Sequence, residues 1–379
     1  MDEGRSSGHT VEGEAVTGAF RPTRVEVDLE AIRRNVRTLR PPTAELMAVV
    51  KANAYGHGVS PVARAALEAG ASWLGVALVE EGIALRDAGI DAPILVLSEF
   101  PAGSETDALA ARLTASLYTR EGLARLVAAA DGGPIPVHVK VDTGMHRVGV
   151  HPPEAVAGFV DRVVEAGLVL DGLWTHFARS EEDEVTTKEQ LARFLTVADA
   201  VRAAGHGPRL LHAANSGATI LHADSHLDLV RPGISIYGIE PAPGVGADLR
   251  PALSWRSSVT MAKRLAAGDR VSYGHRYELG QDAWVATVPV GYADGYARAL
   301  SGADVLIGGR RCPVAGSVTM DQLMVDCGDV EPMPGDEVVL LGMQGGETVG
   351  AWELADHAQT QAYEIVTRIG ERVPREHRG

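Results

Sequence analysis

Leu46-Met47-Ala48-Val49-Val50-Lys51-Ala52-Asn53-Ala54-Tyr55-Gly56-His57-Gly58 begins as an uninterrupted apolar run, ends on an amine and passes into a glycine-rich turn. An apolar run this short, bounded by turn residues, reads as a buried strand. The texture recurs at Trp73–Ala77, Ile94–Leu97, Leu113–Leu117, Val137–Val141, Leu168–Leu173, Arg209–His212 and Ile234–Tyr237. Between these runs lie Ala/Leu/Arg/Glu stretches at helical spacing, among them Pro61–Glu68, Glu80–Asp87, Arg120–Ala129, Glu154–Ala166 and Lys188–Ala204. Strand and helix in alternation are the signature of a parallel sheet. With Leu46–Val50 included, the runs number what a closed (β/α)₈ TIM-like barrel needs, and an open sheet accommodates them less well.

After the Gly/Pro-rich segment Pro241–Gly246 the pattern changes to short strands closed by turn residues, at Ser254–Arg264, Arg270–Tyr273, Trp284–Val290, Leu323–Val325 and Glu337–Leu341. Helical spacing returns at Trp352–His357 and Thr360–Ile369. The expected organisation of this α/β chain is a flexible tail over 1–20, a barrel over 21–247 and a smaller, mainly β domain over 248–379.

The 379 residues carry 35 Lys+Arg against 50 Asp+Glu, a formal charge of −15, which argues against binding nucleic acid through bulk charge. No run approaches the roughly 18 apolar residues of a membrane span, and the N-terminus lacks the basic-then-apolar order of a signal peptide. Cys312 and Cys327 are too few for a disulfide framework and suit a reducing compartment, so a soluble cytoplasmic protein is expected. Gly244 and Gly246 do not make a dinucleotide loop, because the third position is Leu249. His212, His222 and His226 have no ligand-like spacing, and no metal site is expected.

In a barrel, reactive groups sit at the carboxyl ends of strands, and Lys51 follows Val50 directly. Burial disfavours the charged form of an amine, and a neutral lysine can condense with a carbonyl. Taken alone, such a lysine is more often a strand-end residue facing solvent.

The run from Ala48 to Gly58 resembles the pyridoxal-phosphate lysine signature of the alanine racemases. Further landmarks of that family recur in order: Val139 to Arg147, Thr175-His176-Phe177-Ala178, Asn215-Ser216, Arg231-Pro232-Gly233-Ile234, Ser272-Tyr273-Gly274, Gly291 to Gly295, Met320-Asp321-Gln322 and Tyr363-Glu364-Ile365. The resemblance spans roughly residues 22 to 375 and implies pyridoxal 5'-phosphate as cofactor and interconversion of L- and D-alanine as activity, supplying D-alanine for cell-wall peptide. It implies that Lys51 holds the cofactor and serves as one Cα base. Tyr273 of the partner subunit in a homodimer serves as the other, supported through His176 and Arg231. The same resemblance assigns Tyr55, His176, Asn215, Ser216, Arg231, Gly233, Ile234 and Tyr363 to cofactor binding, and Arg147, Tyr292 and Met320 to the substrate. Lys140 matches a lysine that the family carbamylates.

Two bases on opposite faces are what a racemase needs, since the proton leaves Cα from one side and returns on the other side of the planar carbanion. This chain departs from the family at Ser317-Val318-Thr319, where many members carry Arg, an apolar residue and Cys, and at His146, where Gly is common. A racemase of another small amino acid such as serine, a non-catalytic pyridoxal-phosphate carrier and a basic-amino-acid decarboxylase are the alternatives. The long β domain with Tyr273 speaks against the carrier, and the Ser-Tyr-Gly and Arg-Pro-Gly features speak against the decarboxylase.

Overall fold

The chain's first strand, β1 (Arg24–Asp28), pairs antiparallel with Leu253–Ser258 and parallel with Arg375–Arg378, so it lies in a sheet of the second half of the chain. This computed structural model describes residues 20–130 and 132–379; the tail expected over 1–20 lies, except for Phe20, outside them. Asp28 then turns the chain into a helix over Leu29–Leu39 by accepting a hydrogen bond from the Ala31 N–H at 3.0 Å.

The barrel follows. Its strands are β2 (Glu45–Val49), β3 (Trp73–Val76), β4 (Ile94–Val96), β5 (Ala115–Leu117), β6 (Pro136–Lys140), β7 (Val169–Trp174), β8 (Leu210–His212) and β9 (Leu229–Val230). They pair in parallel in the orders β4-β3-β2-β9 and β5-β6-β7-β8. A parallel bridge between Leu95 and Thr114 joins the two groups on one side. On the other, the amides of Asp228 and Arg231 donate to the carbonyls of Leu211 and Ala214, which closes the ring. Met47, Trp73, Leu95, Leu210 and Leu229 pack as a separate buried cluster among these strands.

The eighth strand is Leu229–Val230 and not the expected Ile234–Tyr237, which forms a 3₁₀ turn. Pro232 has no N–H to donate, and the ψ of −92° at Gly233 takes the backbone out of extended geometry. The segment after Lys51 is also more than a glycine-rich turn. Ala52, Asn53, Ala54 and Tyr55 all have φ between 51° and 54°, a single turn of left-handed helix. Each such non-glycine residue costs roughly 1–2 kcal/mol, and strain of this kind concentrates at functional sites.

The second half forms β10 (Leu253–Ser258), β11 (Met261–Leu265), β12 (Arg270–Val271), β13 (Tyr277–Glu278), β14 (Ala283–Val288), β15 (Asp304–Ile307), β16 (Arg310–Pro313), β17 (Leu323–Asp326), β18 (Glu337–Gln344), β19 (Glu347–Val349) and β20 (Arg375–Arg378). The main sheet runs β16-β15-β18-β10-β1-β20, with β19 on β18; β11-β14-β17 make a second sheet and β12-β13 a hairpin. The single strand expected over Ser254–Arg264 is therefore two. At its middle the Val259 amide donates to Asp336 and the Thr260 amide to Thr287, so the backbone passes from one sheet to the other. The strand expected to reach Tyr273 stops at Val271, because Ser272 takes a φ of 67°.

Candidate active site

Five barrel strands deliver side chains to one place. Lys51 follows β2, Lys140 ends β6, His176 follows β7, Asn215 and Ser216 follow β8, and Arg231 follows β9. All of them line a cavity of about 630 Å³, joined by Tyr55, Arg147, Gly233, Ile234 and Tyr363. Carboxyl-terminal strand ends converge by construction in a closed barrel, which is why residues so distant in sequence meet. A cavity of about 720 Å³ elsewhere, bordered by Tyr237, Leu253 and Trp352, holds none of the residues singled out from sequence.

Four cations, Lys51, Lys140, Arg147 and Arg231, share the cavity of a chain whose net charge is −15. Burial lowers the Lys51 pKa, the Arg147 charge lowers it further, and Glu81 pulls the other way. Glu81 is engaged nearby, accepting from the Ala52 and Ala77 amides at 2.6 and 2.8 Å. Burial, aided by Arg147, Arg231 and Lys51, brings Lys140 down to about 7, so a large share of its amine is neutral near pH 7. Its Nζ sits 4.4 Å from the Trp174 ring centroid, and the Arg231 guanidinium carbon sits 4.9 Å from the same ring. Trp174, which no local sequence signal marks, is the aromatic surface that Lys140 and Arg231 share.

Arg231 is buried, and desolvation lowers it to about 9, which leaves it charged at neutral pH. Its Nη2 donates to the Thr175 and Ala213 carbonyls at 2.7 and 3.0 Å, and its Nη1 donates to His212 Nδ1 at 3.0 Å. Among the described residues no hydrogen bond joins Arg231 to His176, the neighbour expected from sequence. His176 instead feels Arg231 as a charge: burial first, then Arg231, Lys140, Arg147 and Lys51, hold this imidazole well below its ordinary range and neutral.

The contact with His212 opens a longer path. An arginine can only donate, so His212 Nδ1 accepts and its Nε2 carries the proton. That proton is donated to His138 Nδ1 at 2.9 Å, and His138 Nε2 faces Asp171 at 3.4 Å. Burial lowers both imidazoles and keeps them neutral. Asp171 is bound by Arg209 through Nε and Nη2 at 2.9 and 3.0 Å. His138 and Asp171 were not anticipated; the signal was the alternation Val137-His138-Val139-Lys140, which points two polar side chains to one face of a buried strand.

Polar groups also gather at the turn after β9. The Gly233 amide donates to Ser216 Oγ at 2.9 Å, and a Cβ on Gly233 would come within 2.5 Å of the Tyr55 hydroxyl. Burial raises the Tyr55 and Tyr363 phenols, keeping both as neutral donors. Asn215 caps the following helix, accepting from the Ala218 amide at 3.0 Å and from Ser180 Oγ at 2.7 Å. The cations, the hydroxyl donors and the side-chain-free approach at Gly233 fit an anionic aromatic occupant joined to Lys51.

Tyr273, Tyr292 and Met320 are elsewhere. They belong to the second half of the chain and line none of this cavity, with exposures of 75%, 42% and 54%. Tyr273 sits on the turn between β12 and β13, where Ser272 Oγ donates to the Ser317 carbonyl at 2.6 Å and Ser317 Oγ donates back to the Tyr273 carbonyl at 3.3 Å. The amides of Tyr292 and Ala293 donate to the carbonyls of Thr319 and Met320 at 3.0 Å each, tying those two loops together. Of the histidines weighed as ligands, His212 bonds Arg231, while His222 and His226 face the carbonyls of Ser180 and Thr219 at 2.9 Å.

Known proteins match this chain over most of its length. The family model for the alanine racemase N-terminal domain matches residues 27–241, and that for the C-terminal domain matches residues 252–377. An alanine racemase of Symbiobacterium thermophilum is 48% identical over 94% of this chain and 97% of its own length. One from Geobacillus kaustophilus is 43% identical, covering 94% of both. Among solved structures, the alanine racemase of Streptomyces lavendulae superposes with a TM-score of 0.91 at 40% identity, covering 96% of this chain and 98% of its own. That of Bacillus anthracis with bound L-Ala-P superposes at 0.89 and 38% identity, covering 96% of each. With both halves of the chain matched by the family's two domain models and with relatives of this identity and coverage, the chain belongs to the alanine racemase family.

Proposed function

We propose that this protein interconverts L- and D-alanine with pyridoxal 5'-phosphate, in a site completed by Tyr273 of a second copy of the chain. The observation that carries the reading is Lys51 facing Lys140, Arg147 and Arg231 in one cavity at the carboxyl ends of the barrel strands. Lys51 would hold the cofactor through its amine, Tyr55, Ser216, Gly233, Ile234 and Tyr363 would hold its phosphate, and Arg231 would face its ring nitrogen. Bound there, the cofactor supplies an electron sink for negative charge at the substrate Cα. With the cofactor bound, the charged Arg231, backed by a neutral imidazole, would offer that nitrogen a donor and disfavour its protonation.

Arg147 pairs with the substrate carboxylate through its planar fork. Lys51 Nζ takes or returns the Cα proton on one face; its lowered pKa makes the neutral, proton-accepting form accessible. Tyr273 Oη does the same on the other face, and the exposure of Tyr273 away from its own chain's cavity is what recommends a homodimer. Lys140 takes up CO₂: its neutral amine forms an N–C bond and releases one proton, so an uncharged neighbour of Arg147 becomes an anionic partner. No helix among the described residues is long and apolar enough to cross a membrane, and the free, buried thiols of Cys312 and Cys327 suit a cytoplasmic site of action.

The decisive experiment incubates purified protein with single enantiomers of alanine and of other small amino acids, serine included, followed by chiral separation. Either alanine enantiomer should approach an equal mixture, and Lys51→Ala should abolish this. A cofactor-loaded protein that leaves alanine unchanged would refute the reading. Borohydride reduction and peptide mapping should label the Lys51 peptide, and labelling at Lys140 would refute the tether.

A further inference from the structure

The loop that leaves β6 brings Asp142, His146 and His151 together, with one ligand atom of each within 4.8 Å of the others. His146 Nδ1 is 3.3 Å from Asp142 Oδ2, close to the roughly 3.3 Å edge of a tetrahedron with bonds of about 2.0–2.1 Å. The two imidazoles meet edge to face at 5.4 Å. Asp142 is already oriented: its Oδ1 accepts the amides of Gly144 and His146 at 3.0 Å each, which leaves Oδ2 beside His146 Nδ1. His146 reaches this place through a left-handed backbone, φ 53°, and its side chain is 67% exposed. Among the described residues neither ring is held by another hydrogen bond, unlike the carbonyl-bound His222 and His226.

We propose that Asp142, His146 and His151 form a binding site for a divalent transition metal of the zinc class, separate from the cavity and on the same loop as Arg147. Two imidazoles and one carboxylate suit zinc, cobalt or nickel, whereas magnesium and calcium prefer oxygen ligands throughout. Three protein ligands leave a fourth position for water. Neither histidine lines the cavity, but Arg147 and Val148 between them do. An ion held at 142, 146 and 151 therefore cross-links both ends of the segment that presents Arg147, and restrains it.

The test uses untagged, cofactor-loaded enzyme stripped of metal by chelation and titrated with Co²⁺ and then Zn²⁺. Calorimetry should give one ion per chain, and Co²⁺ should show the intense visible bands of a four-coordinate site, lost on adding Zn²⁺. His146→Ala and His151→Ala, both changes at exposed side chains, should each weaken binding by about ten-fold or more. Hydrogen exchange of peptides covering 142–151 should slow with Zn²⁺ in the parent enzyme and not in either variant. Absence of saturable binding near one ion per chain, an affinity unchanged from the parent in either variant, or loop exchange indifferent to metal would each overturn the proposal. All three measurements are independent of racemisation, so they stand or fall apart from the assignment of the cavity.

Discussion

Arg231 is backed by an imidazole and not by a carboxylate, and the difference matters to what the cavity feels. A carboxylate would neutralise the guanidinium; neutral His212 satisfies one N–H and leaves the charge undiminished. His212→Leu removes that acceptor and the donor to His138 together. It should cost about 1–3 kcal/mol of stability, measured by denaturant unfolding, because charged and polar groups are left buried without partners. Unchanged stability would mean that the relay is not formed. Lys140 makes a prediction in pH. Its folded value near 7 lies below the ordinary 10.5, so between these values the folded chain binds fewer protons here than the unfolded chain. Stability from this site therefore rises as pH climbs through that window and is flat below it. Comparing unfolding midpoints of parent and Lys140→Met protein in CO₂-free buffer isolates the effect: the parent should gain on the variant from about pH 7 to pH 10. A parallel course for the two would remove the basis for a neutral amine at Lys140.

At the scale of elements, β1 is the instructive case. It lies between β10 and β20, and β20 has no other strand partner in the sheet. A fragment comprising residues 248–379 should therefore fail to fold cooperatively, judged by amide dispersion and thermal unfolding. Fusing residues 20–29 through a flexible linker should restore cooperativity by filling the gap. Cooperative folding of the bare fragment would show that β1 is dispensable to the sheet. Local signals explain which elements could be read. The helix over Arg120–Ala129 has its cap in plain view, with Thr119 Oγ1 accepting from the Gly122 amide at 2.9 Å. Glu105–Ala110 and Ser216–Leu221 are six-residue helices, too short for a periodic stripe to emerge, and they escaped notice.

For the whole molecule, the exposure of Tyr273 at 75% outside a cavity that holds Lys51 leads to a complementation experiment. Lys51→Ala and Tyr273→Ala chains, each nearly inactive, are unfolded and refolded together in equal amounts. With shared sites, a mixed dimer has one doubly substituted site and one wild-type site. Random pairing makes about half the dimers mixed, so activity should return to about a quarter of the parent value for a closed two-fold dimer. If each chain supplied both of its own bases, no mixed dimer would be complete. Confirmed mixed dimers without activity would then restrict the site to one chain.

Some of this was decided by the sequence alone. Apolar runs alternating with helical stretches determine a barrel because each βα unit must bury its own strand, and that is a local property. Lys51, Arg147, Arg231 and Gly233 stand out because their motifs and their places after strands are local as well. What only the tertiary structure decided are relations between residues far apart in the chain. Examples are Arg231 resting on His212 and, through it, His138; β1 pairing with β10 and β20 of the later half; and Asp142 brought together with His146 and His151. The eighth strand belongs with them, since Leu229–Val230 rather than the longer Ile234–Tyr237 closes the ring. Such pairings follow from which strand ends meet when a sheet closes and which buried donors find acceptors there, and neither condition is imposed until the chain is folded.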